Sequence, residues 1–121
     1  MATIQLTEAN LQPSIDNHDI LLIDFWASWC GPCRMFGPIF EKSAEKHPEI
    51  GFAKCNTEEA SDVAAKFGVS SIPTLAIFRD GILLYSQPGA LPEKGLEDLI
   101  KQVQALDMEK IKAEVEAKAQ S

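Results

Sequence analysis

Apolar positions along the 121-residue chain switch repeatedly between a period of two and a period near 3.6, marking alternating strands and helices. Ile4 to Leu6 reads as a short edge strand. Thr7, with Asn10 three residues on, reads as an N-cap that opens a helix to about Asn17. Ile20 to Ala27 is an apolar stretch rich in branched and aromatic side chains and predicts a strand buried on both faces. Met35, Phe36, Ile39, Phe40 and Ala44 recur at helical spacing up to His47-Pro48, where the proline stops the helix. Ile50 to Asn56 predicts another strand, and Thr57 with Glu58 and Glu59 predicts a helix ending at Gly68.

Two strands are predicted next, at about Thr74 to Phe78 and Ile82 to Ser86, joined by the hairpin signal Asp80-Gly81. Pro92 then opens a last helix with Leu96, Leu99, Ile100, Val103 and Leu106 on one face. Met108, Ile111 and Val115 lie roughly a third of a turn away from that stripe at about 100° per residue. One straight helix cannot bury both stripes on the same sheet: it kinks near Asp107, frays, or offers the second stripe to another chain. The predicted order is β-α-β-α-β-α-β-β-α. Right-handed crossovers place the first three strands in parallel and the hairpin adds an antiparallel edge, giving an α/β fold with helices on both sides of a mixed sheet.

Composition narrows the partners. A formal charge of −7 repels nucleic acid and acidic membranes alike. No Lys or Arg precedes Arg34, so the basic region of a secretory signal is missing, and Asp24 breaks the longest apolar run, which is too short to span a membrane. A cytoplasmic protein is expected. The three cysteines, Cys30, Cys33 and Cys55, are too few and too uneven for a disulfide-stapled secreted domain.

Trp29-Cys30-Gly31-Pro32-Cys33 falls where a buried strand ends and a helix begins. The first turn of a helix has unpaired N–H groups and the positive end of the macrodipole, so it stabilises a thiolate at Cys30, the reacting form of cysteine. Cys33, three positions on, shares its helical face and can close a small ring with it. Gly31-Pro32 stiffens the turn, since proline in the first turn needs no N–H. A closed zinc site would need two more ligands, and only Cys55, His18 and His47 remain, scattered without a second paired spacing. A structural disulfide across so short a loop would remove little unfolded-state entropy. Redox chemistry is left.

The run Asp24-Phe25-Trp26-Ala27-Ser28-Trp29-Cys30-Gly31-Pro32-Cys33-Arg34-Met35 closely resembles the thioredoxin family. So do Ser71-Ile72-Pro73-Thr74, Phe78-Arg79-Asp80-Gly81 and Pro88-Gly89-Ala90-Leu91, and the likeness spans about residues 3–106. The resemblance implies a thioredoxin fold, a mixed five-stranded sheet flanked by four helices, with a domain over residues 1–106; the tail departs from the shortest family pattern and is expected as a helical extension over 107–121. It implies that Cys30 is the exposed attacking thiol and Cys33 the buried resolving thiol. Asp24 would be a buried proton acceptor of raised pKa beneath Cys33, tuned by Lys54 on the neighbouring strand; the plainer reading of Asp24 is a strand-end residue in solvent. Pro73 would be a cis-proline facing the dithiol. Trp29, Gly31, Pro32, Ile72, Pro73, Gly89 and Ala90 would form an apolar patch around Cys30, on which a substrate lays an extended segment against the Ile72 backbone.

The implied function is reduction of protein disulfides by dithiol–disulfide exchange, without a cofactor or metal in the domain. The implied partners are a flavoprotein thioredoxin reductase and disulfide-containing protein substrates, with the chain itself a monomer. Two rival functions share the fold. A disulfide isomerase or oxidase is opposed by Gly31-Pro32 and the missing signal, and a non-catalytic binding module by the intact Cys30, Cys33, Asp24 and Pro73. Cys55 alternates with Lys54 along its strand and should face away from Asp24 as a small core residue, the alternative being a regulatory or intermolecular thiol.

Overall fold

A computed structural model describes residues 2–120 of the chain. Met1 and Ser121, the outer ends of the two expected segments, lie outside the described residues. The elements in order are β1 (Ile4–Gln5), α1 (Glu8–Asp16), β2 (Ile20–Trp26), α2 (Gly31–Lys46), β3 (Gly51–Asn56), α3 (Ser61–Lys66), β4 (Thr74–Arg79), β5 (Ile82–Pro88), α4 (Glu93–Ala105) and α5 (Met108–Gln120). The five strands form one sheet in the order β1-β3-β2-β4-β5. β3 is parallel to both β1 and β2, whereas β4 is antiparallel to β2 and to β5.

The central strand β2 is buried along Ile20–Phe25, so both its faces have cover. Leu21, Ile23 and Phe25 point one way, into a cluster with Leu11 and Ile15 of α1 and Val63 and Ala64 of α3. Ile20 and Leu22 point the other way, against Phe36, Phe40 and Ala44 of α2 and Leu96, Ile100 and Val103 of α4. Asp24 shares this second face by the two-residue period of the strand. Thr7 caps α1 in a full capping box: Asn10 N–H donates to the Thr7 hydroxyl and Thr7 N–H to the Asn10 side chain.

Three local expectations are corrected. The helix expected from Thr57 starts at Ser61, because the Thr57 hydroxyl and N–H both donate to the Trp26 carbonyl at the end of β2. Met35 is 72% exposed and not a core residue. It stands about 100° round the helix from Phe36, past the edge of the buried stripe. Leu106, expected on the buried stripe of α4, is 37% exposed at the C-cap, with a ψ of 143° that ends the helix.

Of the three outcomes for the tail, the break is the one observed. The helix stops at Ala105, and α5 starts afresh at Met108, which is buried. Arg79 anchors the break: its Nη1 donates to the carbonyls of Val103, Gln104 and Leu106 at 2.7, 3.1 and 3.2 Å. They belong to the last turn and C-cap, where a helix end runs short of N–H donors and Val103 has only a 3.4 Å bond from the Leu106 N–H, so a cation there is favoured twice over.

Candidate active site

β2 delivers the chain to Trp26, and Cys30 is the N-cap of α2 in an extended conformation. Gly31 and Pro32 form the first turn, and the Cys33 N–H donates to the Cys30 Sγ at 3.2 Å. Cys30 and Cys33 are joined in a disulfide with their Cα atoms 5.2 Å apart, so the site is in its oxidised form. Helix geometry gives the arrangement its chemistry. A sulfur that accepts a backbone N–H at the positive end of a 16-residue helix is stabilised as an anion once the bond is reduced.

The loop before β4 meets the dithiol from the other side. The Ile72–Pro73 peptide is cis, and the Ile72 carbonyl lies 3.7 Å from the Cys30 Sγ. Gly89, at a φ of 115° that side-chain-bearing residues rarely adopt, donates its N–H to the Pro73 carbonyl at 2.8 Å. This bond ties the end of β5 to the same loop.

The expected contrast in exposure between the two cysteines is not found. Cys30 and Cys33 each retain 4% of their surface, because the Cys30 sulfur turns back onto the helix start and toward the Ile72 carbonyl. Pro73 is buried as well and adds nothing to an exposed patch. Around them Trp29 is 67% exposed, Gly31, Pro32, Gly89 and Ala90 are exposed, and Ile72 is half-buried. Trp29 and Ile72 also line a groove of about 530 Å³, whose far wall includes Thr57, Ser61, Ala64 and Val69.

Asp24 is fully buried, and neither carboxylate oxygen has a hydrogen-bond partner. Burial pushes its pKa from 3.8 up to about 7, opposed by the positive charge of Lys54 and assisted by the negative charge of Glu41. The solvent reading of Asp24 is thereby ruled out. Lys54 is the register partner of Asp24 on β3, yet its Nζ pairs with Glu41 Oε2 at 3.7 Å and stands 5.2 Å from the centre of the Trp26 ring. Trp26, Cys33, Gly37, Glu41 and Lys54 line a cavity of about 170 Å³ on this face.

Sequence reading missed Trp26 and Glu41. In the sequence Trp26 is only one more apolar residue of the Ile20 to Ala27 run, but its indole N–H is buried without a partner beside the cavity. For Glu41 the signal was the spacing Cys33, Gly37, Glu41, which repeats every four residues and so forms one stripe of α2. Cys55 lies on the opposite face of the sheet, in the cluster with Phe25, and is fully buried. Burial first, then the charges of Asp62 and Asp24, push its thiol up to about 11. Among the described residues, no group of three or more His, Cys, Asp or Glu is placed to hold a metal ion.

The family model for thioredoxin matches residues 2–102. The chain belongs to the thioredoxin family. A relative named putative thioredoxin 2, from Streptomyces coelicolor, is 47% identical over 121 residues, covering 99% of this chain and 90% of its own. That likeness therefore takes in α5. Among solved structures, oxidised mitochondrial thioredoxin 3 from Saccharomyces cerevisiae superposes with a TM-score of 0.76 at 35% identity, over 84% of this chain and 95% of its own. A structure described by the thiol resolving mechanism of yeast mitochondrial 1-Cys peroxiredoxin via glutathione/thioredoxin systems gives 0.76 and 35%, over 83% and 94%. With the thioredoxin fold and its closed Cys30–Cys33 pair, the chain is a thiol–disulfide oxidoreductase that reduces protein disulfides. No helix among the described residues is long and apolar enough to cross a membrane.

Proposed function

We propose that Cys30 attacks the substrate disulfide, Cys33 resolves the mixed disulfide, and Asp24 accepts the Cys33 proton, with Lys54 tuning that carboxylate. The Cys30 thiolate attacks one substrate sulfur, forms a mixed disulfide and expels the other as a thiolate. Asp24 takes the Cys33 proton, and the Cys33 thiolate attacks the Cys30 sulfur. The second substrate sulfur leaves, and the site closes as Cys30–Cys33. Two electrons have passed to the substrate. A separate thioredoxin reductase returns them, giving the chain a role in cytoplasmic electron transfer as a monomer.

The observation that carries this assignment of roles is the cap. Cys30 alone of the three cysteines stands at a helix N-terminus with its sulfur on a backbone N–H. Gly31 and Pro32 shape that turn. Trp29, Ile72, Gly89 and Ala90 offer the surface on which a substrate strand lies, with Pro73 fixing the loop behind it. A peroxiredoxin-like protein disulfide is a suitable substrate, in keeping with the yeast structure similar to this chain. We also propose that the catalytic domain ends at Leu106 and that residues 107–121 are an extension. A chain stopped after Leu106 should keep its activity.

Insulin reduction with NADPH and a thioredoxin reductase tests the function, and two variants test the roles. Cys33→Ser should accumulate a Cys30–substrate mixed disulfide, and Cys30→Ser should trap none. Trapping through Cys33 in the Cys30→Ser protein would reverse the assignment.

A further inference from the structure

Lys54 faces Asp24 across the β2–β3 pair, and a buried carboxylate without hydrogen bonds should draw an ammonium in strongly. The ammonium is instead paired outward with Glu41, whose side chain is half exposed. Two contacts hold it there, the Glu41 carboxylate at 3.7 Å and the face of the Trp26 ring, and it lies beside Gly37, where a Cβ would stand 3.6 Å from Nζ, at ordinary van der Waals distance. All three residues line the cavity that also reaches Cys33.

We propose that Glu41 is a positioning residue of the dithiol site, holding the Lys54 ammonium at the cavity and off the Asp24 carboxylate. The proposal rests on the reading of Asp24 as the acceptor of the Cys33 proton. A proton acceptor works best when its affinity lies near the operating pH. Burial alone raises the affinity of Asp24, and an ammonium moved against it would lower that affinity again. Glu41 keeps the affinity up in two ways of the same sign: it repels charge on Asp24 and it detains the cation that would stabilise that charge. The other groups bearing on Asp24 are few. Arg34 and the disulfide-bonded Cys33 of α2 line the same cavity, Lys54 faces Asp24 from β3, and the Cys55 thiol lies on the far face of β3. The β4 neighbour, Leu75, carries no charge.

The test is a carboxyl-carbon NMR titration of Asp24 in the oxidised protein, where neither active-site thiol titrates. Glu41→Gln should lower the Asp24 midpoint by roughly half a pH unit, the size set by a half-exposed ion pair. Glu41→Asp should recover part of it. In a Lys54→Met background, Glu41→Gln should shift the midpoint no more than about half as far, because the detained cation is gone. An unmoved midpoint in Glu41→Gln, or an equal shift in both backgrounds, would overturn the proposal. Failure of the underlying reading has a separate signature: an Asp24→Asn protein whose resolving step keeps the wild-type rate and pH profile.

Discussion

Asp24 and Trp26 project from the same face of β2, and each carries a buried polar group without a hydrogen-bond partner. Two such groups two residues apart in a central strand cost stability, and they adjoin the one face of the sheet that carries the dithiol.

The first prediction concerns Asp24→Asn. The folded-state pKa of about 7 stands above the unfolded value near 3.8, so the fold favours the protonated form. Stability present below pH 4 is lost progressively as pH rises through 7, by at most about 4 kcal/mol. Asparagine keeps the shape and never ionises. The variant should therefore be more stable than wild type at pH 8 by up to a few kcal/mol, and by less at pH 5. Its resolving step should slow while Cys30 keeps its helix-derived reactivity. Urea melts at the two pH values, with single-turnover kinetics, measure both; a variant less stable at pH 8 would contradict the burial argument.

Cysteine labelling should be ordered. With a pKa of about 11, only about one Cys55 thiol in ten thousand is ionised at pH 7, and the side chain is fully buried. Brief iodoacetamide treatment of the reduced protein should mark Cys30 first and leave Cys55 untouched until the chain unfolds. Mass spectrometry of the digested protein gives the order.

Gly51 is held by its neighbour. A Cβ at this position would lie 2.7 Å from two ring carbons of His18, whose Nδ1 is fixed 2.8 Å from the Ser14 carbonyl. Gly51→Ala should cost about 1–3 kcal/mol in a urea melt, as overpacking does. His18→Ala in the same chain should remove most of the clash. A single variant as stable as wild type would show that the ring yields freely.

Glu97 of α4 binds two residues near the end of α2. The Ser43 hydroxyl donates to its Oε2 at 2.6 Å, and the His47 Nε2 lies 2.7 Å from its Oε1. Burial pushes the Glu97 carboxyl up, but the Ser43 and His47 contacts outweigh it and hold the pKa below the ordinary range. The stabilisation is complete above the unfolded pKa and is lost as pH falls through the lower folded one. Glu97→Ala leaves the buried Ser43 hydroxyl without its partner and should cost about 1–3 kcal/mol at pH 7. The gap between the two proteins should narrow below pH 4, and thermal melts across that range record it.

The order of elements, the sheet with its antiparallel edge and the strand-to-helix setting of Cys30 were legible in the chain itself. They depend on local regularities: the burial period of β2, the Thr7–Asn10 capping box, the Asp80-Gly81 turn and the stop at Pro48. The separate stripes of Leu96 to Val103 and Met108 to Val115 likewise showed that one straight helix cannot bury both, but the choice of a break over fraying or a partner chain came from the fold, where Arg79 reaches the carbonyls at the end of α4. What the chain could not show depends on partners distant in sequence. Thr57 looks like a helix cap until the Trp26 carbonyl claims its hydroxyl and N–H. Cys30 looks exposed until the Ile72 carbonyl, 42 residues on, comes up against its sulfur. The register of β2 on β3 sets Lys54 opposite Asp24, but only the packing of α2 across that face brings in Glu41 to take the ammonium. Local periodicity places a residue on a face; which charge it meets there is decided by the element folded over it, because electrostatic pairing acts across space and leaves no period in the sequence.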